Sequence, residues 1–68
     1  MREVVVHVDG KPFKGTYDTC EDNARGQMVE VTRDAWLVRC PVHDESPAHV
    51  AERCLEWCVR EALADRRR

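Results

Sequence analysis

The sequence predicts an α+β domain with the element order ββββα, in which a four-stranded antiparallel meander is followed by one C-terminal helix packed on the sheet. Four short segments alternate or are rich in β-branched residues, as strands are, and turn signals separate them. The last third of the chain has the apolar spacing of one helix. With 68 residues the chain is expected to be a single domain with a marginal core, at a size where a metal, disulfides or a partner subunit often adds stability.

The first two strands are predicted at residues 3–8 and 12–19. The first segment is rich in valine, and the Asp9-Gly10 sequence that follows it is a strong hairpin signal. In the second segment Phe13 and Tyr17 share one phase of the strand alternation. These features predict an antiparallel hairpin at the start of the chain.

The next part of the chain is predicted to be a loop followed by a second strand pair. Residues 20–27 are polar and include Asn23 and Gly26, which is typical of a loop. The third strand is predicted at residues 28–32 and the fourth at residues 35–40. A sheet of this kind buries one face and leaves the other face to solvent.

One helix is predicted at residues 47–65. Ser46 is a good N-cap, and Pro47 suits the first helical position because its missing N–H would have no partner there. At least one of Trp36 and Trp57 is expected in the core, since the chain has few large residues. The apolar arc expected to cover the sheet consists of Val50, Ala51, Cys54, Leu55, Cys58 and Ala62.

The four cysteines are the most informative feature of the chain for function. Cys40-Pro-Val-His43 places a thiol and an imidazole three residues apart. In a meander the second and fourth strands end at the same edge of the sheet, so Cys20, Cys40 and His43 are expected to meet near the start of the helix. Zinc takes four such ligands in a tetrahedron. The predicted zinc ligands are Cys20, Cys40, His43 and Cys54, with Cys58 and then His49 as alternatives to Cys54.

The same cysteines have other interpretations. Reduced cysteines pack as small hydrophobic residues, and Cys54 and Cys58 occupy core positions of the predicted helix. Disulfides or an iron–sulfur cluster are further alternatives. The sequence shows no apolar run long enough for a secretory signal or a membrane span. A cytoplasmic location, in which thiols stay reduced, is therefore expected and favours zinc or packing.

Charge and motif content argue against several function classes. Residues 60–68 carry four arginines and two acidic residues, a net charge of +2, which leaves −4 on the rest of the chain. That distribution is unlike the broad basic surface of an autonomous DNA-binding domain. The glycines are isolated and form no phosphate-binding loop. Cys40 and His43 in one tight turn favour shared metal ligation over a catalytic dyad, so no enzymatic activity is expected.

The sequence is therefore expected to encode a small non-enzymatic protein-interaction, accessory or regulatory domain with a zinc site. Its expected partner is another protein or a second copy of the chain, and no membrane partner is expected. The strand at residues 3–8 can pair with such a partner at the edge of the sheet. The alternative is a zinc-dependent, transcription-related nucleic-acid-binding module. In that alternative the helix end and the basic tail at residues 66–68 contact phosphates through Arg60, Arg66, Arg67 and Arg68.

Overall fold

The structure, a computed structural model, describes residues 1–66. Within that range one four-stranded antiparallel sheet is followed by one helix, which confirms the predicted ββββα architecture. The strands follow one another in the sheet, so the first and fourth are its edges. Arg67 and Arg68 of the predicted basic tail lie outside the described residues. The elements are β1 (Arg2–Val8), β2 (Lys11–Asp22), β3 (Gly26–Arg33), β4 (Trp36–Pro41) and α1 (Pro47–Arg66).

The β1–β2 hairpin forms where the Asp-Gly signal predicts it. Asp9 and Gly10 have φ angles of 54° and 78°, as the two central residues of a type I′ turn require, and Val8 pairs with Lys11 across the turn. Every second residue of β1 is buried, beginning with Val4. This alternation gives the sheet one buried face from its first strand onward.

The predicted loop at residues 20–27 is wrong, because most of this segment belongs to the β2–β3 hairpin. Cys20 pairs with Met28, and the ladder continues until Asp22 pairs with Gly26. The turn is closed by the Asp22 side chain, whose Oδ1 accepts hydrogen bonds from the backbone N–H groups of Ala24 (2.8 Å) and Arg25 (3.1 Å). An aspartate side chain that bonds its own following backbone can make a tight turn in a polar stretch.

The core lies between α1 and one side of the sheet, which we call the covered face. α1 begins as predicted, since the Ser46 hydroxyl accepts a hydrogen bond of 3.2 Å from the His49 backbone N–H. Leu55 of α1 and Val29 of β3 are fully buried at this interface. The predicted arc is buried apart from Ala62, which is half-buried, and it also includes Val59. Within residues 1–66 no helix is long and apolar enough to cross a membrane.

The side of the sheet opposite α1, the open face, is mainly polar. Glu30 of β3 forms a 2.9 Å ion pair with Arg39 of β4, and Lys14 of β2 lies 3.7 Å from Glu3 of β1. Next to these ion pairs, Thr16 of β2 pairs with Thr32 of β3. Cross-strand pairs of this kind stabilise a sheet surface that stays in water.

Neither tryptophan is in the core, so the expectation that at least one is buried is wrong. Trp36 is 40% exposed and Trp57 is 58% exposed. Trp57 lies at the edge of the buried arc, and Trp36 is the first residue of the edge strand β4. The interior is filled instead by valine, leucine, cysteine and alanine side chains together with Tyr17 and Met28.

At Gly15 of β2 the helix α1 and the neighbouring strand β3 come close to the backbone of the sheet. A Cβ added there would lie 3.2 Å from Leu55 Cδ1 and 3.2 Å from the carbonyl oxygen of Thr32. Both neighbours are fixed, since Leu55 is fully buried and Thr32 lies in β3. The glycine at this position therefore permits the close packing of helix on sheet.

We predict that Gly15→Ala lowers the free energy of unfolding by about 1–3 kcal/mol, because the added methyl group overpacks the interface. Chemical denaturation of the purified protein measures the change. Gly26→Asn is the matched control, since Gly26 has open space around its Cβ position and a φ of 79°, a conformation that asparagine tolerates. A Gly15→Ala protein as stable as the wild type would show that α1 can move away from β2 at no cost.

Candidate functional site at the junction of helix and edge strand

Three cysteines meet where α1 crosses the edge strand β4. Cys40 pairs with Val29 in the β3–β4 ladder, so its side chain points to the covered face and towards α1. Cys54 and Cys58 lie one helical turn apart on the buried arc of α1. The Sγ atoms of Cys40 and Cys54 are 2.9 Å apart, and all four cysteines of the chain are free thiols. We refer to Cys40 and Cys54 as the thiol pair.

The surroundings of the thiol pair keep the helical cysteines protonated. Burial, followed by the hydrogen bond with Cys40, raises the pKa of Cys54 far above its ordinary value. Burial also raises the pKa of Cys58. The hydrogen bond between Cys58 and Cys54 lowers that pKa, but by less than burial raises it. Both are therefore neutral thiols at physiological pH and react poorly with external reagents.

A cavity of about 300 Å³ opens beside the thiol pair. Cys40 is half-buried and lines this cavity together with Cys54, and the outer walls include His43, Arg53 and Trp57. Arg53 is held by Glu45 in an ion pair of 2.9 Å. The cavity thus gives small molecules a path to Cys40. Trp57 and Arg53 were not predicted as cavity walls, although Trp57 lies at the edge of the apolar arc and Arg53 precedes Cys54 directly in the sequence.

Cys20 does not join the other predicted ligands. It pairs with Met28, whereas Cys40 pairs with Val29, and these two residues of β3 are consecutive. Consecutive residues of a strand point to opposite faces, so Cys20 lies on the open face and Cys40 on the covered face. The sheet itself separates the two thiols.

The structure brings together Cys40, His43 and Cys54 around one cavity, but not as a metal cage. In the part of the chain that the structure describes, no group of three or more histidine, cysteine, aspartate or glutamate side chains is arranged to hold a metal ion. Of the alternatives for the fourth ligand, Cys58 is buried next to Cys54, and the exposed His49 lies 3.7 Å from a Glu45 carboxylate oxygen. Zinc stays a prediction from the sequence.

The predicted phosphate-binding arginines are only partly described. Arg60 is exposed, and its guanidinium lies 3.0 Å from a Glu56 carboxylate oxygen one turn earlier on α1. Arg66 is the exposed last residue of α1. The acidic neighbour lowers the positive potential that Arg60 presents to a phosphate.

Comparison with known proteins assigns no role to any of these residues. The chain matches no protein-family model, no curated protein and no solved structure.

We predict that the reduced protein loses stability as the pH rises above about 9, the ordinary pKa of the Cys54 thiol. Below that pH the thiol is protonated in both the folded and the unfolded state, so its contribution is fully present. Above it the unfolded chain ionises while the folded chain does not, because the folded-state pKa is raised. Cys54 alone then lowers the free energy of unfolding by up to about 1.4 kcal/mol per pH unit.

Denaturant titrations between pH 8 and 10, in the presence of a phosphine reductant, measure this slope. Cys54→Ala is expected to reduce it, whereas Val59→Ala, a truncation of comparable burial on the same helix, keeps it. An equal slope in wild-type and Cys54→Ala proteins would contradict the prediction.

Proposed function

We propose that the protein is a small, non-enzymatic interaction domain of the cytoplasm that pairs its edge strand β1 with β1 of a second copy. The observation that supports this most directly is the free edge of β1. A strand edge offers unpaired backbone N–H and C=O groups, which a second strand can satisfy. The result would be one continuous eight-stranded sheet with two-fold symmetry.

The edge of β1 has little of the usual protection of edge strands, although it carries the charged residues Arg2 and Glu3 near its start. Its seven residues include neither proline nor lysine, and its pairing with β2 runs without a bulge. Val5 is 40% exposed at its centre. The other edge strand, β4, is shorter and ends in Pro41. These differences favour β1 over β4 as the pairing edge.

α1 leaves room beside this edge. A cavity of about 330 Å³ lies between β1 and the polar side of α1, and its walls include Val5, His7, His49 and Glu52. The cavity keeps the backbone of β1 open to an incoming strand. A second strand can therefore approach without displacing the helix.

The sequence of β1 is self-complementary in one antiparallel register. With the two-fold axis at Val5, each Val4 lies opposite Val6 on the covered side, and each Glu3 lies opposite His7 on the open side. The carboxylate of Glu3 can then accept a hydrogen bond from the imidazole of the other copy. Moving the axis to Val4 places Glu3 opposite Val5, and moving it to Val6 places His7 opposite Val5, so the register is selective.

The nucleic-acid alternative has less support from residues 1–66. Arg60, one of its four arginines, is engaged by Glu56. The open face carries acidic and basic side chains in pairs and has no basic stripe that could follow a phosphate backbone. A zinc-dependent module would also need the metal site that remains a prediction from the sequence.

We predict that the protein forms a concentration-dependent dimer and that Val5→Lys raises the dimer dissociation constant at least about tenfold. On the two-fold axis the new lysine faces its own copy, and like charges directly opposite each other destabilise a strand pair. Sedimentation velocity over micromolar to millimolar concentrations measures the constant. Val5→Thr, which keeps a β-branched side chain, is the matched control.

A second test changes both side chains of the proposed Glu3–His7 pairs. We predict that His7→Glu weakens the dimer about 2- to 30-fold, since each dimer contains two such pairs worth about 0.2–1 kcal/mol apiece. Glu3→Lys combined with His7→Glu gives each pair side chains of opposite charge and is expected to restore dimerisation. A chain that stays monomeric throughout, or a double variant no better than His7→Glu, would overturn the proposed pairing.

The alternative function has its own measurement. Fluorescence anisotropy with a labelled random-sequence duplex at low salt detects phosphate contacts, and the proposed interaction domain is expected to give no shift. Salt-sensitive binding that is lost in Arg60→Ala and Arg66→Ala proteins would favour the nucleic-acid module instead.

A further inference from the structure

We propose that the thiol pair is a redox modification site, at which a low-molecular-weight disulfide oxidises Cys40 and Cys54 to a disulfide that joins β4 to α1. This inference does not depend on pairing at β1, which lies at the other edge of the sheet. Disulfide formation needs only the two thiols of Cys40 and Cys54, whereas a zinc site needs four ligands.

The geometry needs little change for the bond to form. The two Sγ atoms are 2.9 Å apart, and a disulfide requires about 2.05 Å, so they must approach by roughly 0.9 Å. Both side chains already point into the same interface, Cys40 from the covered face of β4 and Cys54 from the buried arc of α1. Cys40 lies near the end of β4, next to the irregular residues 42–46, where the backbone can absorb such a shift.

The two thiols differ in access, which fixes their order of reaction. Cys40 is half-buried and lines the cavity of about 300 Å³, so an external disulfide reaches it first. Cys54 is 5% exposed, so an external disulfide does not reach it, whereas its Sγ lies 2.9 Å from that of Cys40. Cys54 therefore acts as the resolving thiol, which reacts only with the neighbour beside it.

The reaction balances with the small disulfide RSSR as the oxidant. The Cys40 thiolate attacks one sulfur of RSSR, which forms a Cys40–S–S–R mixed disulfide and releases RS⁻. Cys54 then attacks the Cys40 sulfur, its proton passes to the departing RS⁻, and a second RSH leaves. The protein loses two hydrogens and two electrons, and RSSR gains them as two molecules of RSH. An excess of RSH reverses both steps.

The other two cysteines serve as internal controls. Cys58 is buried one helical turn beyond Cys54, on the same helix, where α-helical geometry keeps the side chains from closing a disulfide without distortion. Cys20 is half-buried on the open face, with the sheet between it and the thiol pair. Cys20 can therefore take up an adduct but has no thiol neighbour to resolve it.

The test treats the reduced full chain with millimolar oxidised glutathione, blocks the remaining thiols with N-ethylmaleimide and maps the peptides by mass spectrometry. The expected product is a Cys40–Cys54 disulfide, with the glutathione adduct of Cys20 as the accompanying stable modification. In Cys54→Ser and Cys54→Ala proteins the expected product is a persistent glutathione adduct on Cys40. Cys58→Ala is expected to form the same Cys40–Cys54 disulfide as the wild type.

Stability gives a second readout that does not depend on the variants. A disulfide that closes a loop of about 15 residues is expected to lower the unfolding equilibrium constant about 100-fold, which shifts the denaturation midpoint of the oxidised wild type upwards. A persistent Cys40 adduct in the wild type, or crosslinks through Cys20 or Cys58, would overturn the proposal. So would zinc found by elemental analysis of chelator-free protein, if it protected Cys40 and Cys54 from glutathione.

Discussion

The packing of α1 on the covered face of the sheet is the constraint on which the rest of this structure depends. Leu55 sits against Gly15 of β2, and no larger residue at position 15 leaves the helix at that distance. Within residues 1–66 the buried core cluster lies at this interface, whereas the open face of the sheet is mainly polar. A chain of this size has little stability to spare, so one helix placed correctly decides whether the strands hold together. The thiol pair belongs to the same interface and is positioned by it.

Most of the fold was predictable because its signals are local. The alternation of valines in β1, the Asp-Gly turn and the Ser46–Pro47 start of α1 each act over a few residues, and the structure keeps all of them. The failure at residues 20–27 has an equally local cause. A polar stretch is typical of a loop, yet the Asp22 side chain closes a short turn here, and β2 continues as far as Asp22. Polarity alone does not distinguish a solvent-exposed hairpin end from a loop.

The sequence predicted which end of the sheet carries the candidate site. It did not predict which face of the sheet each cysteine side chain occupies. Connectivity brings Cys20 and Cys40 to the same end of the sheet, as a meander requires. Which face each thiol takes depends on parity, and Phe13 and Tyr17 fix that parity for β2, so that the even-numbered Cys20 belongs to the opposite face. The sequence contained this information, whereas the pairing of Cys40 with Val29 depends on a register set only by the folded β3–β4 ladder.

The open edge of β1 and the thiol pair at β4 lie at opposite edges of the sheet, and α1 packs against both strands. The proposed bond from Cys40 to Cys54 would hold the helix on β4, and a strand added to β1 would extend the sheet under the other side of the same helix. Each event would stabilise the folded chain relative to the unfolded chain, and the two contributions would add. The two edges thus act on one marginal core through a shared element, and neither requires a contact between the sites themselves. If both proposals hold, a small sheet with one covering helix carries a covalent link at one edge and a contact with a second copy at the other, without a larger core.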